Sequence, residues 1–150
     1  MNRNVFQSVG ILYRTYLNFA NGFLKDLGLS FSESVIISHI GGSEGITQER
    51  IATSLCIDRA AIARTVKLLE NKELIEIKKD AEDKRLKKLF LTPEGWEKFR
   101  AITAANADRL ASLYDGLTPS EISTMEAVLS KLAEKAGSTD QQEENRFAKQ

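Results

Sequence analysis

Apolar residues recur at steps of three and four over residues 5–25, where Val5, Val9, Leu12, Tyr13, Tyr16, Phe19, Ala20, Phe23 and Leu24 draw the stripe of a long amphipathic helix. Gly28 stops it, and Ser30 with Glu33 three places later makes a capping box for a second helix that carries Val35, Ile36, Ile37 and Ile40. Gly41 and Gly42 end that helix. Thr47 is placed to cap a third, residues 48–55, because its hydroxyl can accept a free amide of the first turn; Ile51, Ala52 and Leu55 form the apolar face. Cys56 and Ile57 make a tight turn, and Asp58 caps a fourth helix from Arg59 to about Asn71.

The fourth helix divides cleanly at about 100° per residue. Ile62, Val66 and Leu69 fall on one side, while Ala60, Ala63, Arg64, Lys67 and Asn71 fall on the other. Residues 74–79 and 86–91 then show partial alternation, with Ile75, Ile77, Leu89 and Leu91 able to face inward from two paired strands. The polar run 80–85 between them is turn-like, so the pair reads as a hairpin projecting from a helical body. Thr92-Pro93 opens another helix, with proline where its missing amide costs nothing, and Thr118-Pro119-Ser120-Glu121 repeats the device. The two helices that follow carry Trp96, Phe99, Ile102, Leu110 and Leu113, and Ile122, Met125, Val128, Leu129 and Leu132. The expected class is mainly α with one small β-hairpin.

Three long apolar stripes flank this compact middle, and one subunit that also projects a hairpin cannot cover them all. A homodimer built from the two ends of the chain is the natural solution. The expected organisation is an N-terminal dimerisation helix over 1–30, a reading domain over 31–92, C-terminal dimerisation helices over 93–136 and a flexible polar tail over 137–150.

Composition narrows the function. A chain of 150 residues is long enough to bury a core without staples. Cys56 is the one cysteine and His39 the one histidine, so neither an intrachain disulfide nor a Cys/His metal cluster is available. No metal and no cofactor is expected, and no catalytic residue either, since the chain lacks a nucleophile–base–orienter set and a glycine-rich phosphate loop. Cys56 reads as a small buried hydrophobe. No run approaches the roughly 20 apolar residues of a membrane span, and the N-terminus has no cleavage-like region, so a soluble, cytoplasmic protein with no membrane partner is expected.

Formal net charge is zero, yet its distribution is uneven. Residues 58–88 hold ten Lys/Arg against seven Asp/Glu, while residues 94–144 hold five against ten. Lys84, Arg85, Lys87 and Lys88 fill four of five consecutive places at the hairpin. A solvated lysine edge that resists sheet aggregation would look the same. Combined with a helix whose outer face offers alanines for close approach and Arg64 for bidentate pairing with guanine, the pattern suits one helix in a DNA groove and a basic arm in the next.

These residues resemble a known family. The stretch TQERIATSLCIDRAAIARTVKLLENKELIEIKKDAEDKRLKKLFLTPEG is similar to the winged helix-turn-helix core of MarR-type transcriptional regulators. Its landmarks are Thr47-Gln48, Ile57-Asp58-Arg59-Ala60, Leu69-Glu70, Asp83-x-Arg85 and Leu91-Thr92-x-x-Gly95, and the flanking helices fall in the family's order. The resemblance implies a homodimeric, sequence-specific regulator of double-stranded DNA, in the repressor mode, on a pseudo-palindromic operator. It implies DNA contact at Thr47, Gln48, Asp58, Arg59, Ala60, Ala61, Arg64, Thr65, Lys67, Asp83, Lys84, Arg85 and Lys87. Arg85 is the minor-groove arginine and Asp83 its acidic companion.

Two positions depart from the family pattern: Glu73 stands where a helix-ending glycine is common, so another route to termination is expected, and Ala81 stands where proline is frequent. The family often senses small aromatic acids, which makes a small aromatic effector the implied regulator. Its binding residues are not assigned: Tyr13, Tyr16 and His39 could line a cleft, but aromatic residues on an amphipathic helix are more often core, and a lone histidine is more often structural. The competing reading is a winged-helix adaptor that offers the same face to protein partners; a gel shift with the upstream DNA separates the two.

Overall fold

The computed structural model describes the backbone of residues 4–147 and the side chains of residues 4–138. The elements run α1 (Val5–Asp26), α2 (Phe31–Gly42), β1 (Ile46–Thr47), α3 (Gln48–Leu55), α4 (Arg59–Asn71), β2 (Ile75–Lys79), β3 (Lys87–Leu91), α5 (Pro93–Tyr114) and α6 (Pro119–Phe147). The mainly helical class with one hairpin is what the periodicity predicts.

Capping chemistry sets the boundaries. Ser30 and Glu33 close a reciprocal box at the start of α2, the Asp58 carboxylate accepts the Ala61 amide at 3.0 Å, and Thr92 Oγ1 accepts the Gly95 amide at 3.1 Å. Asn4 and Gln7 make a further box at α1 that the sequence reading does not include. Three helices end on the same device, in which a left-handed residue lets the chain return two amides to the last turn. At α1 this residue is Gly28, with Leu29 N donating to Leu24 O at 3.0 Å. At α3 it is Cys56 (φ 52°), and at α4 it is Glu73 (φ 57°). The α4 helix therefore does not end by another route: Leu74 N donates to Leu69 O at 3.0 Å, and a glutamate occupies the glycine conformation. Each side chain held there costs about 1–2 kcal/mol.

The two-residue strand β1 is absent from the sequence reading. It pairs antiparallel with β3 through Ile46↔Leu89 and Thr47↔Lys88, giving the order β1-β3-β2. Ile51 of α3, Ile62, Val66 and Leu69 of α4, Ile36, Ile37 and Ile40 of α2, and Ile75 and Leu89 of the sheet form the core, with Ala20 and Leu24 of α1 and Ile102 of α5 against it. Beyond Ile102, no described residue of α5 or α6 belongs to that cluster.

The expected tail divides. Residues 137–147 continue α6 as helical backbone, with good helix formers at Gln141, Gln142, Glu143 and Glu144, and residues 148–150 lie outside the described residues. No helix among the described residues is long and apolar enough to cross a membrane.

A non-local tie secures the end of α4 to the start of α2. Lys72 Nζ donates to the Gly28 carbonyl at 3.0 Å and sits 2.8 Å from Glu33 Oε1, whose side chain is only 4 % exposed. Removing the ammonium strands a nearly buried carboxylate. Lys72→Ala is expected to lower unfolding free energy by about 2 kcal/mol, discounted for the half-exposed lysine. Urea melts check this, and adding Glu33→Gln should restore part of the loss, because the second change removes the stranded charge.

Candidate nucleic-acid interface

The helix pair α3 and α4 is joined by Cys56 and Ile57, and the left-handed backbone at Cys56 sets the crossing of the two helices. Cys56 is exposed, which corrects the expectation of a buried hydrophobe, and its sulfur lies against Gly137 of α6. The α4 helix buries Ile62, Val66 and Leu69 and exposes Ala60, Ala63, Arg64, Lys67 and Asn71, as its periodicity predicts. Leu68 is exposed as well.

The expected contact residues divide by what their side chains already do. Thr47 and Asp58 are engaged as caps, with Thr47 Oγ1 3.3 Å from Arg50 N, so they place helices. Arg59 reaches back to Glu49 at 2.9 Å, and Lys67 pairs with Glu70 at 2.9 Å along the same helix. These exposed pairs are worth little in water and open at small cost. Among the described residues, Arg64 holds no ion pair and stands free on the outer face. Ala61 and Thr65 are half-buried, and the Thr65 hydroxyl donates to Ala61 O at 3.1 Å. Both border a cavity of about 100 Å³ with Phe31, Val35, Leu55 and Ile57, on the flank of α4 rather than its crest.

The hairpin tip is built by two aspartates. Asp80 Oδ1 accepts the amides of Glu82 (2.8 Å) and Asp83 (2.9 Å), and its other oxygen pairs with Lys88. The Lys88 hydrogen bond, with those two amides, holds the Asp80 carboxyl down at about 2, and the same bond pushes the Lys88 ammonium up. Because the Asp80 value is depressed, its ordering of the tip is complete above the ordinary carboxylate range and is lost as pH falls through about 2. Asp83 Oδ1 accepts the Arg85 amide at 3.0 Å and lies 3.5 Å from Arg85 Nε. Arg85 is thus aimed by its neighbour while its side chain remains 95 % exposed. Lys84 is exposed beside it.

Between α4 and the hairpin lies a cavity of about 490 Å³ lined by Gln48, Ala63, Lys67, Ile77, Lys79 and Lys87 among others. It brings together three of the expected residues, Gln48, Lys67 and Lys87. Lys79 is new: its place in the groove follows from strand register, which has no signature in the sequence.

Comparison with known proteins gives the same architecture a family. Residues 27–86, from the end of α1 through the hairpin tip, match the family model described as MarR family. The chain is 28% identical to a MarR-family transcriptional regulator from Listeria monocytogenes solved in complex with a 26-mer DNA, with a TM-score of 0.85 over 92% of each chain. Over this core the chain matches the MarR family, and it is similar to that family's members beyond it. It has the fold of these winged helix-turn-helix regulators, with α3 and α4 as the helix-turn-helix and the β2–β3 hairpin as the wing. Its likeness to family proteins extends well past the matched core: the transcriptional regulator SlyA superimposes with a TM-score of 0.83 at 25% identity, over 91% of this chain and 96% of that one. The HTH-type transcriptional regulator YybA of Bacillus subtilis is 27% identical over 86% of both chains.

Proposed function

We propose that the chain acts as a homodimer on a pseudo-palindromic operator and represses by occupying a promoter. The terminal helices carry the dimer. Val9 and Leu12 on α1, Leu110 and Leu113 on α5, and Val128, Leu129 and Leu132 on α6 are each 45–52 % exposed, which no isolated helical subunit tolerates as a continuous surface. Residues 1–30 and 93–136 would form this clasp and residues 31–92 the reading lobe. Two α4 helices then enter successive major grooves about 34–36 Å apart. Arg64 reads a base edge, Arg59 and Lys67 hold the backbone, and Ala60 and Ala63 permit close approach. Arg85, with Lys84 beside it, reaches into the flanking minor groove.

The observation that carries this reading is the pairing of a free Arg64 on the crest of α4 with an Arg85 aimed by Asp83 at the wing tip. Its test is a gel shift on the DNA upstream of the chain's own gene, across a series of salt concentrations. Arg85→Ala is expected to weaken binding and flatten the log–log salt slope by about 1.8, the share of one phosphate-like contact in each protomer. Arg64→Ala is expected to cost about 1–3 kcal/mol at one position of each half-site and little elsewhere. A uniform loss across all sequences would reassign Arg64 to the backbone.

We propose that a small aromatic effector binds where α1 meets α5. Tyr16 OH lies 3.2 Å from Asn106 Oδ1, its ring meets Phe31 edge-on, and the Arg109 guanidinium sits 5.4 Å from the Phe19 ring centre. Arg109 Nε is buried without a hydrogen-bond partner among the described residues. An aromatic carboxylate would supply the missing acceptor and a ring for the aromatic wall, and by preferring a dimer with altered head spacing it would release the operator. Tyr13 is exposed and His39 Nδ1 already contacts Val35 O at 3.1 Å, so neither joins this cluster.

A further inference from the structure

Two lysine pairs stand directly opposite each other across the wing, Lys78 with Lys88 and Lys79 with Lys87. Opposed like charges destabilise a sheet. The first pair is neutralised on its own face: Lys78 Nζ is 3.0 Å from Glu76 Oε2 and 5.1 Å from the Phe90 ring centre, and Lys88 pairs with Asp80. The second pair shares the other face with Ile75, Ile77, Leu89 and Leu91, because opposed residues of antiparallel strands project to the same side. Among the described residues, neither Lys79 nor Lys87 has an ion-pair partner there. Their side chains close the wing end of the 490 Å³ cavity, whose opposite wall is α4. Glu70, the carboxylate of that wall, is already held by Lys67 at 2.9 Å. The recess therefore gathers three ammonium groups against one carboxylate.

The position of this recess selects its anion. A helix in the major groove and an arm in the adjacent minor groove are separated by the sugar–phosphate ridge of one strand, and that ridge must cross the gap between them. We propose that Lys79 and Lys87 clamp one phosphate of this ridge between the recognition helix and the wing, with the Gln48 amide as a neutral third donor. The inference rests on the DNA-binding reading above and adds to it a residue, Lys79, and a cost. The opposed ammonium groups weaken the free protein and are relieved on the duplex, so stability and affinity must move in opposite directions when the pair is removed.

That opposition is the test. Lys79→Thr, Lys87→Thr and the double variant keep β propensity and remove the charges; Lys78→Thr, on the other face, is the comparison. On the upstream duplex the double variant is expected to flatten the log–log salt slope by about 1.8, one phosphate in each of the two protomers, while Lys78→Thr leaves it as it is. In the absence of DNA, at fixed protein concentration, either single variant should melt about 1–4 °C higher than the unsubstituted chain. A double variant that binds with an unchanged slope while the unsubstituted chain binds normally overturns the clamp and spares the regulator reading. Failure of the unsubstituted chain to bind any duplex overturns both. A melting temperature that falls in both single variants overturns the opposed-charge cost. If inorganic phosphate raises the melting temperature of the unsubstituted chain but not of the double variant, with duplex slopes equal, the recess holds a free anion and the clamp is overturned.

Discussion

Leu129→Glu is expected to convert the protein from dimer to monomer and to weaken operator binding by about 10²–10⁴-fold. Ile122, Met125, Leu129 and Leu132 recur at three- and four-residue steps on α6, yet no described α6 residue contributes to the core of the subunit. Ile122 and Met125 are half-buried, but Val128, Leu129 and Leu132 stay exposed, and this surface, continued by the exposed leucines of α1 and α5, is the one we propose a two-fold partner covers. A carboxylate placed in it has no cation to pair with on the neighbouring apolar positions and must be desolvated for the dimer to close. The functional loss exceeds the association energy of one leucine because the second reading head is lost as a tethered ligand. Once one head is docked, the other faces its half-site at an effective concentration in the millimolar range, and a monomer forfeits that gain. Ala127→Glu, about 160° away around α6 at 100° per residue, should remain dimeric and bind normally. Sedimentation and gel shifts with both variants check the claim. A dimeric Leu129→Glu protein with full affinity would place the two-fold contact elsewhere.

Much of this architecture was legible because its determinants are local. A cap is a side chain and an amide three residues away, so Ser30, Thr47, Asp58, Thr92 and Thr118 announce helix starts whatever the rest of the chain does. The two faces of α4 follow from a period, and periods survive in a string of letters. What escaped depends on partners distant in sequence. β1 is two residues long, too short for alternation, and exists only because β3 lies alongside it. The Lys72–Glu33 tie spans 39 positions and converts a capping glutamate into half of an ion pair. Lys79 looked like one lysine in a basic strand until register set it opposite Lys87.

Backbone conformation was the other blind spot. Cys56 is apolar and lies between two amphipathic helices, which suggested burial, but as the left-handed residue that turns α3 into α4 it stays exposed, with its sulfur against Gly137 of α6. Glu73 in the place of a glycine suggested a different helix ending, whereas the fold keeps the ending and strains the residue. In both cases the requirement for a turn at a fixed point outweighed the preference of the side chain, a choice made by the packing of α3, α4 and β2 around one core.

The same packing makes Gly95→Ala a strongly destabilising single methyl where α5 is seated on the reading lobe. Gly95 sits in the first turn of α5, where the helix meets the link between α4 and β2. Thr92 holds that junction by donating its amide to Leu74 O at 3.1 Å and its hydroxyl to Glu73 O at 2.8 Å, while Thr92 Oγ1 accepts the Gly95 amide. A Cβ on Gly95 would fall on the Leu74 carbonyl oxygen and within 3.3 Å of Leu91 Cβ. The obstacle is backbone, which cannot swing aside as a long side chain can, so α5 must lift away from the lobe or the Thr92 bonds must break. We expect a loss of about 3 kcal/mol, at the upper end of what overpacking costs and a large part of a typical domain's margin. Gly42→Ala is the counterpart: a Cβ there meets nothing within 4 Å, and alanine at a helix end should be neutral or slightly stabilising. Urea unfolding of the two variants separates close approach from any general effect of glycine replacement. Equal midpoints for both would mean that α5 is not seated on the Leu74 carbonyl, and that the Leu91-Thr92-x-x-Gly95 pattern needs a different physical explanation.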